Sequence, residues 1–175
     1  MHERGWKGEL EMSFDRTIDG MELMLKIRGY QFSTDDNYDD AWCECDFRFH
    51  FEGVVDYHRE KYEVLLSSEV DILDEKLTEL LEGKISETSY TSMTEPDFIF
   101  ILKPQEDLRN NPNFVYVAPG YEIKDIEMEW RVYFWHDGLT ENYLSVTLFR
   151  DDIVALRDYI RSIRLSEKRP EGKTD

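Results

Sequence analysis

Carboxylates are the most numerous side chains in this sequence that could do chemistry. Residues 35–40 read DDNYDD, and their alternating oxygen-bearing side chains repeat the opening of an EF-hand calcium loop. Asp40 stands where that loop needs a glycine, and Asp46 stands where it needs a bidentate glutamate. The segment that follows alternates like a strand. We therefore predict no metal site and treat four side chains as candidate partner-binding residues: Asp35, Asp36, Asp39 and Asp40.

Neither the thiols nor the remaining carboxylates complete a catalytic motif. Cys43 and Cys45 would share one strand face, and the four histidines offer no spacing that completes a metal site with them, so we interpret both as core residues. Glu95 and Asp97 flank Pro96, where a turn explains them as well as acid–base chemistry does. Nucleotide-binding, hydrolase and zinc-protease signatures are absent from the sequence. We therefore predict no catalytic residue and no cofactor.

Two acidic rows alternate with apolar residues and should face outward from their strands. If the two strands share a sheet face, the rows form a negative plate that includes aromatic side chains. Aromatic anchors surrounded by charge are typical of protein interfaces, although solvated charge on a sheet face is equally ordinary. Both interpretations stay open, and the candidate partner-binding residues of the plate are Trp42, Glu44, Asp46, Glu127, Glu129, Tyr133 and Trp135.

The whole chain is strongly acidic. It has 39 Asp and Glu against 21 Lys and Arg, a formal net charge of -18. Residues 1–149 hold 33 of the acidic and 14 of the basic side chains, so the excess belongs to the body of the fold. Such charge disfavours nucleic acid and anionic membranes as ligands and suits a basic protein partner. Because no export signal or apolar span is apparent, we expect a cytoplasmic protein. Self-association stays open.

The apolar periodicity predicts an α+β fold. Alternation predicts strands at residues 21–28, 43–52, 62–66, 88–93, 98–102, 114–117, 126–135 and 144–148. Spacings of three and four predict one amphipathic helix from Ser68 to a stop at Gly83 and another that begins after Asp151 or Asp152. We expect a curved antiparallel β-sheet with the two amphipathic helices packed on its apolar face.

The same patterns divide the chain into three parts. Residues 1–20 are polar and lack a sustained period, so we expect an N-terminal extension that is either a loose arm or a short hairpin on the domain edge. Residues 21–165 should form a single α+β domain, and residues 166–175 a flexible C-terminal tail.

Several short motifs carry a family resemblance. They are Gly29-Tyr30-Gln31-Phe32, Asn37-Tyr38, Asp40-Ala41-Trp42 and Thr94-Glu95-Pro96-Asp97, followed by a closing helix at Asp151-Asp152. With them, residues 23–164 resemble the WapI-type immunity proteins of bacterial contact-dependent toxin systems. The chain departs from that pattern in its first 20 residues, at Ser33, and in the loop from Pro104 to Lys124.

The resemblance implies a small, acidic, cytoplasmic protein that binds the toxic C-terminal domain of a secreted toxin, commonly a nuclease. It offers no catalytic residues. We therefore predict a non-enzymatic immunity protein, or antitoxin, that neutralises the basic C-terminal toxin domain of a contact-dependent polymorphic toxin. The alternative hypothesis is a small-molecule-binding or hydrolytic α+β domain with Glu95, Asp97 and His136 at a pocket.

Overall fold

The computed structural model describes residues 12–166 of the 175-residue chain. These residues form ten β-strands and two α-helices, with two short 3-10 helices in the connections. In chain order the strands and helices are β1 (Phe14–Ile18), β2 (Met21–Arg28), β3 (Trp42–Phe51), β4 (Val55–Leu66), α1 (Ser67–Leu81), β5 (Ser89–Ser92), β6 (Phe98–Lys103), β7 (Glu106–Asp107), β8 (Ile123–Lys124), β9 (Glu127–Trp135), β10 (Leu139–Phe149) and α2 (Arg150–Ser166). Within this part of the chain, neither helix has the length and apolar character needed to cross a membrane.

The strands form two four-stranded antiparallel sheets. The first sheet has the order β1-β2-β3-β4 and the second the order β10-β9-β6-β5, while β7 and β8 form a small separate ladder. α1 connects β4 with β5 and so carries the chain from the first sheet to the second. The expected α+β class, with antiparallel strands and two helices, is confirmed. Eight of the strands are divided equally between two separate sheets.

Aromatic rings join the inner faces of the two sheets. The Phe49 and Trp130 ring centroids are 5.2 Å apart, and those of Phe47 and Phe98 are 5.0 Å apart, both in edge-to-face geometry. Cys43 is fully buried on the same face of β3 and forms no disulfide, and burial raises the pKa of its thiol to about 11. A buried neutral thiol is unreactive, so the interpretation of the cysteines as core residues is confirmed.

Both helices bury one apolar stripe, as their spacing predicted. The buried stripe residues are Val70, Leu73, Leu77 and Leu80 of α1 and Ile153, Leu156, Ile160 and Ile163 of α2. Each contributes on the order of 2 kcal/mol by leaving water. The backbone N–H of Ile27 donates to the Tyr159 hydroxyl at 2.8 Å, which fixes α2 to the first sheet. Arg161 Nε donates to Asp74 Oδ1 at 2.8 Å, which ties α2 to α1.

The ends of α1 are set by a carboxylate and a glycine. The helix begins at Ser67, where the Glu69 side chain accepts the backbone N–H of Leu66 at 2.9 Å, so Glu69 and not the expected Ser68 satisfies the first turn. Gly83 follows the last turn with φ of +69°, a left-handed conformation that glycine adopts without strain. The predicted stop at Gly83 is confirmed.

Strand β1 places part of the expected N-terminal extension inside the fold. Phe14 pairs with Leu25 of β2, and both Phe14 and Ile18 are buried in the core. The three residues between them are exposed, so the segment has no visible alternation in sequence. The remainder of the extension, residues 1–11, and residues 167–175 of the expected tail lie outside the described residues.

Candidate partner-binding surfaces

The two acidic rows do not share a sheet face, so the single negative plate suggested by the sequence does not form. Glu44 and Asp46 lie on β3 in the first sheet, whereas Glu127 and Glu129 lie on β9 in the second. Because side chains alternate along a strand and the inner faces of these sheets contact each other, the two rows point outward on separate faces. The rows are separated because the chain passes through α1 from the first sheet to the second before it reaches β9.

One cation on the neighbouring strand β2, Arg28, is shared by two carboxylates of the row on β3 and partly neutralises it. Arg28 of β2 lies opposite Glu44 in register and forms an ion pair with it at 3.4 Å. The same guanidinium donates to Asp46 Oδ1 at 3.1 Å, and the backbone N–H of Lys61 donates to that oxygen at 2.8 Å. The bonds from Arg28 hold the pKa of Asp46 below its usual value. Trp42, at the start of the row, is half-buried.

The row on β9 is neutralised in the same way. Partial burial raises the pKa of Glu129, but hydrogen bonds from Arg131 at 2.6 Å and from Ser145 at 3.0 Å outweigh it, and the pKa falls below its usual value. Lys103 of β6 adds an ion pair with Glu129 at 3.4 Å. Glu127 pairs with Lys124 at 3.1 Å. These two carboxylates therefore present little uncompensated charge.

The aromatic side chains of this second face are engaged with neighbours of the same protein. The Tyr133 ring packs against the Tyr143 ring at 5.0 Å, and the Arg131 guanidinium lies 4.8 Å from the Tyr143 centroid. Trp135 Nε1 donates to Asp97 Oδ1 at 2.8 Å. Tyr133 and Trp135 are both half-buried. Their contacts stabilise the second sheet and leave part of each ring at the surface.

The acidic loop, residues 35–40, is the part of the predicted site that keeps its charge. All four of its aspartates are exposed, and none forms an ion pair or a side-chain hydrogen bond within the described part of the chain. No group of three or more acidic, histidine or cysteine side chains within residues 12–166 is arranged to hold a metal ion. Exposed carboxylates without a cation project their full field into solvent.

Hydrogen bonds hold the acidic loop against α1. The Tyr38 hydroxyl donates to one carboxylate oxygen of Asp71, and the Tyr30 hydroxyl donates to the other at 2.8 Å. Burial, reinforced by Asp71, raises the pKa of Tyr30 to about 12, so the hydroxyl stays protonated as a donor. At the end of the loop, the Ser67 N–H donates to the Ala41 carbonyl at 2.8 Å. The four aspartates are thus presented on a fixed backbone.

The surface of α1 beside the acidic loop has acidic, basic and apolar side chains. A surface groove there is lined by Tyr38, by Ile72 and Glu75, both of which are exposed, and also by three cations, Lys84, Arg161 and Arg164. Glu75 has no ion pair within residues 12–166. The unpaired carboxylates of the acidic loop and of Glu75, with the apolar Ile72 beside them, are suited to a basic protein partner.

The three residues of the alternative pocket do not share an accessible site. Asp97 is only 1% exposed, and burial raises its pKa, which the bond from Trp135 partly offsets. The side chain of His136 is 89% exposed at the β9–β10 turn, where it lies 3.9 Å from Asp137. Glu95 is half-buried. Because Asp97 lacks solvent access while His136 projects into solvent, the two do not flank a common substrate.

The sequence interpretation missed a second exposed surface, the apolar loop, which we define as residues 114–123, from the β7–β8 connection through the first residue of β8. Residues 114–117 were expected to form a strand but do not, because the chain pairs Glu106–Asp107 with Ile123–Lys124 and leaves them no neighbouring edge. Five large apolar side chains of the loop are between 49% and 104% exposed: Phe114, Val115, Tyr116, Tyr121 and Ile123. The signal available in sequence was an apolar run between two prolines, Pro112 and Pro119.

The comparisons with known proteins agree with this architecture. No curated protein matches the chain. The model of one family, the immunity protein WapI-like family, matches residues 13–165, which include both sheets, both helices and the two exposed loops. A match over most of the chain establishes membership. The protein belongs to the immunity protein WapI-like family.

Proposed function

We propose that this protein is a non-enzymatic immunity protein, an antitoxin that acts in the cytoplasm by binding and neutralising the basic C-terminal toxin domain of a contact-dependent polymorphic toxin. Family membership indicates an immunity function and a toxin as the partner. The basic character of that toxin domain is our inference from the charge of the chain, which is -18.

The observation that carries the proposal is the acidic loop. Most carboxylates of the two sheet rows are neutralised by Arg28, Lys103, Lys124 and Arg131, whereas the four aspartates of the loop have no cation beside them. Four unpaired carboxylates within six residues attract a basic surface at a distance and raise the rate of encounter.

Such a loop suits a toxin that cleaves nucleic acid. A nuclease binds its substrate through cations that contact phosphates, and those cations are a natural target for a fixed cluster of carboxylates. An antitoxin bound there excludes the substrate sterically and electrostatically. No chemical step by the antitoxin is needed, and we assign none to it.

We expect a variant with Asp35, Asp36, Asp39 and Asp40 all changed to Asn to associate with the toxin domain about tenfold more slowly at low salt. The reason is the loss of the unpaired carboxylates that steer the partner. The measurement is the association rate constant of purified chain with the purified C-terminal domain encoded by the adjacent toxin gene, at about 20 mM and about 200 mM NaCl.

The matched control changes four other exposed carboxylates, which also lack ion pairs within the described residues, to Gln: Glu52, Glu60, Glu87 and Glu141. Both variants lose the same net charge, so the control separates the position of the charge from its total. Equal slowing in both variants would contradict a role for the acidic loop in particular. Absence of any complex between the unmodified chain and the toxin domain at low salt would refute the proposed function.

A further inference from the structure

The apolar loop concentrates exposed large apolar side chains in one short segment. Its five large side chains lie within ten residues, and three of them, Val115, Tyr116 and Tyr121, are more than 70% exposed. Isolated exposed apolar residues are ordinary, but a contiguous group of them marks a surface that another protein covers. Two of the five are tyrosines, and tyrosine is among the residues that carry most of the binding energy at interfaces.

Hydrogen bonds fix the backbone of this loop although its side chains are exposed. At its base, the Leu108 N–H donates to the Glu122 carbonyl at 2.8 Å, beside the β7–β8 ladder. At its tip, the Tyr121 N–H donates to the Ala118 carbonyl at 3.1 Å, and the Gly120 N–H donates to the Glu122 carboxylate at 2.8 Å. A loop held in one conformation loses little entropy on binding, so its contacts contribute more fully to affinity.

The turn at the tip depends on one glycine. Gly120 has φ of +91°, and Pro119 precedes it, which is the combination that a type II turn requires. This turn reverses the chain between the two groups of exposed side chains, Phe114 to Tyr116 on one side and Tyr121 to Ile123 on the other. The loop therefore has a defined turn at its tip and exposed apolar residues on both sides of that turn.

Charge decides which partner fits this loop. Around it, residues 104–125 contain four acidic and two basic side chains, and the whole chain carries -18. A second copy would bring the same negative charge to the contact, and like charges across an interface are unfavourable. Asp107 and Asp125 are paired with Arg109 and Arg150, so a basic partner gains from the apolar contact and from the net charge of the whole chain.

We propose that the apolar loop is an anchor that inserts into an apolar depression on the basic toxin domain, a proposal that rests on the proposed immunity function. The acidic loop sets how fast the two proteins meet, and the apolar loop sets how slowly they separate. Burial of exposed aromatic and aliphatic side chains acts mainly on the dissociation rate, whereas exposed charge acts mainly on the association rate.

The two loops are tied to opposite ends of α2. The base of the apolar loop is tied to the start of α2, where Arg150 Nε donates to Asp125 Oδ2 at 2.8 Å. The acidic loop is tied through Asp71 to Arg164 near the end of α2. These two arginines are 14 residues apart in one helix, which corresponds to about 21 Å. A standard interface of about 800 Å² on each partner is roughly 30 Å across.

The test is the variant Val115→Ser/Tyr116→Ala, measured against the purified C-terminal domain encoded by the adjacent toxin gene. We expect the dissociation rate constant to rise at least about 30-fold, the effect of losing an interface hot spot, with the association rate constant changed by less than about twofold. The matched control is Val54→Ser/Tyr90→Ala, which removes a valine and a tyrosine that are 77% and 71% exposed elsewhere on the surface. That control should dissociate like the unmodified chain.

Each other outcome overturns the proposal in a distinguishable way. If the unmodified chain binds the toxin domain and the loop variant dissociates at the same rate, the anchor is wrong while the immunity function stands. If the unmodified chain does not bind, both are wrong. If sedimentation shows that the unmodified chain forms a dimer that the loop variant abolishes, and toxin binding is unchanged, the loop is a self-association site. Equal thermal unfolding midpoints for both variants, expected for exposed side chains, confirm that the comparison concerns folded protein.

Discussion

Asp97 is a buried carboxylate, and only one of its two side-chain oxygens accepts a hydrogen bond in the structure. Its Oδ1 accepts the indole N–H of Trp135, whereas Oδ2 is buried and has no hydrogen-bond partner in the structure. Burial is the main cause that raises the pKa of this side chain above its usual value, and Glu95 raises it further. The folded state therefore holds the Asp97 proton more tightly than the unfolded state does, and this contribution to stability is lost as pH rises through the folded pKa.

The substitution Asp97→Asn should remove this pH dependence. Asparagine retains an oxygen that can accept from Trp135 and carries no charge to bury. We expect the free energy of unfolding of the variant, minus that of the unmodified protein, to increase between about pH 4.5 and about pH 7. Urea unfolding across that range provides the measurement.

The control for that experiment is a carboxylate whose pKa is lowered and not raised, Asp107. Bonds from Arg109 lower the pKa of the partly exposed Asp107, so it titrates below the chosen pH range. Asp107→Asn should therefore run parallel to the unmodified protein above about pH 4.5. A constant difference between Asp97→Asn and the unmodified protein over the whole range would show that Asp97 is ionised with little penalty.

Among the elements, β1 tests most directly how much of the N-terminal segment belongs to the fold. Phe14 is buried, and its ring centroid lies 6.4 Å from that of Tyr159 of α2. Phe14→Ala should lower the free energy of unfolding by about 3 kcal/mol, because it leaves a cavity between the first sheet and α2.

Equilibrium urea unfolding measures this effect, with Thr17→Ala as the control because Thr17 is an exposed residue of the same strand. The control should change stability by less than about 0.5 kcal/mol. A Phe14→Ala variant as stable as this control would mean that β1 is a loose attachment.

Elements with strong, uninterrupted periodicity could be predicted from sequence. Both helices and β9 were expected because each buries one side along its length. β1 could not, since only its two ends are buried. The segment 114–117 has strand-forming residues, but strand formation needs a partner edge, and the β7–β8 ladder closes below it.

The acidic side chains of the candidate site could be predicted from sequence, but which of them are paired with cations could not. The acidic loop is visible in sequence as four aspartates in six residues. Neutralisation of Asp46 depends on Arg28, and neutralisation of Glu129 depends on Lys103, both of which come from neighbouring strands. Cross-strand register and the division of strands between two sheets are tertiary facts that a local pattern does not contain.

For the whole molecule, the net charge of -18 should oppose folding at low salt. Carboxylates that repel one another in the compact state are further apart in the unfolded chain, and salt screens this repulsion. We expect the free energy of unfolding to rise by about 1 kcal/mol between about 10 mM and about 200 mM NaCl. Urea unfolding at a series of salt concentrations provides the measurement.

The two four-site variants supply the comparison. Each removes four negative charges, so both should show a similarly reduced salt dependence of stability even though their association rates differ. Stability that falls with added salt in the unmodified protein would indicate that its ion pairs, such as Arg28 with Asp46, outweigh the repulsion.

The acidic loop and the apolar loop are both connections between strands, β2–β3 and β6–β9, and neither contributes its exposed side chains to the core. If the two loops bind the toxin as we propose, substitutions there alter recognition at almost no cost to folding, because the buried residues of the sheets and helices are untouched. When the surface of a toxin changes, substitutions in two short segments of such an antitoxin can restore binding. Under the proposed function, specificity and stability therefore depend on different residues of one chain.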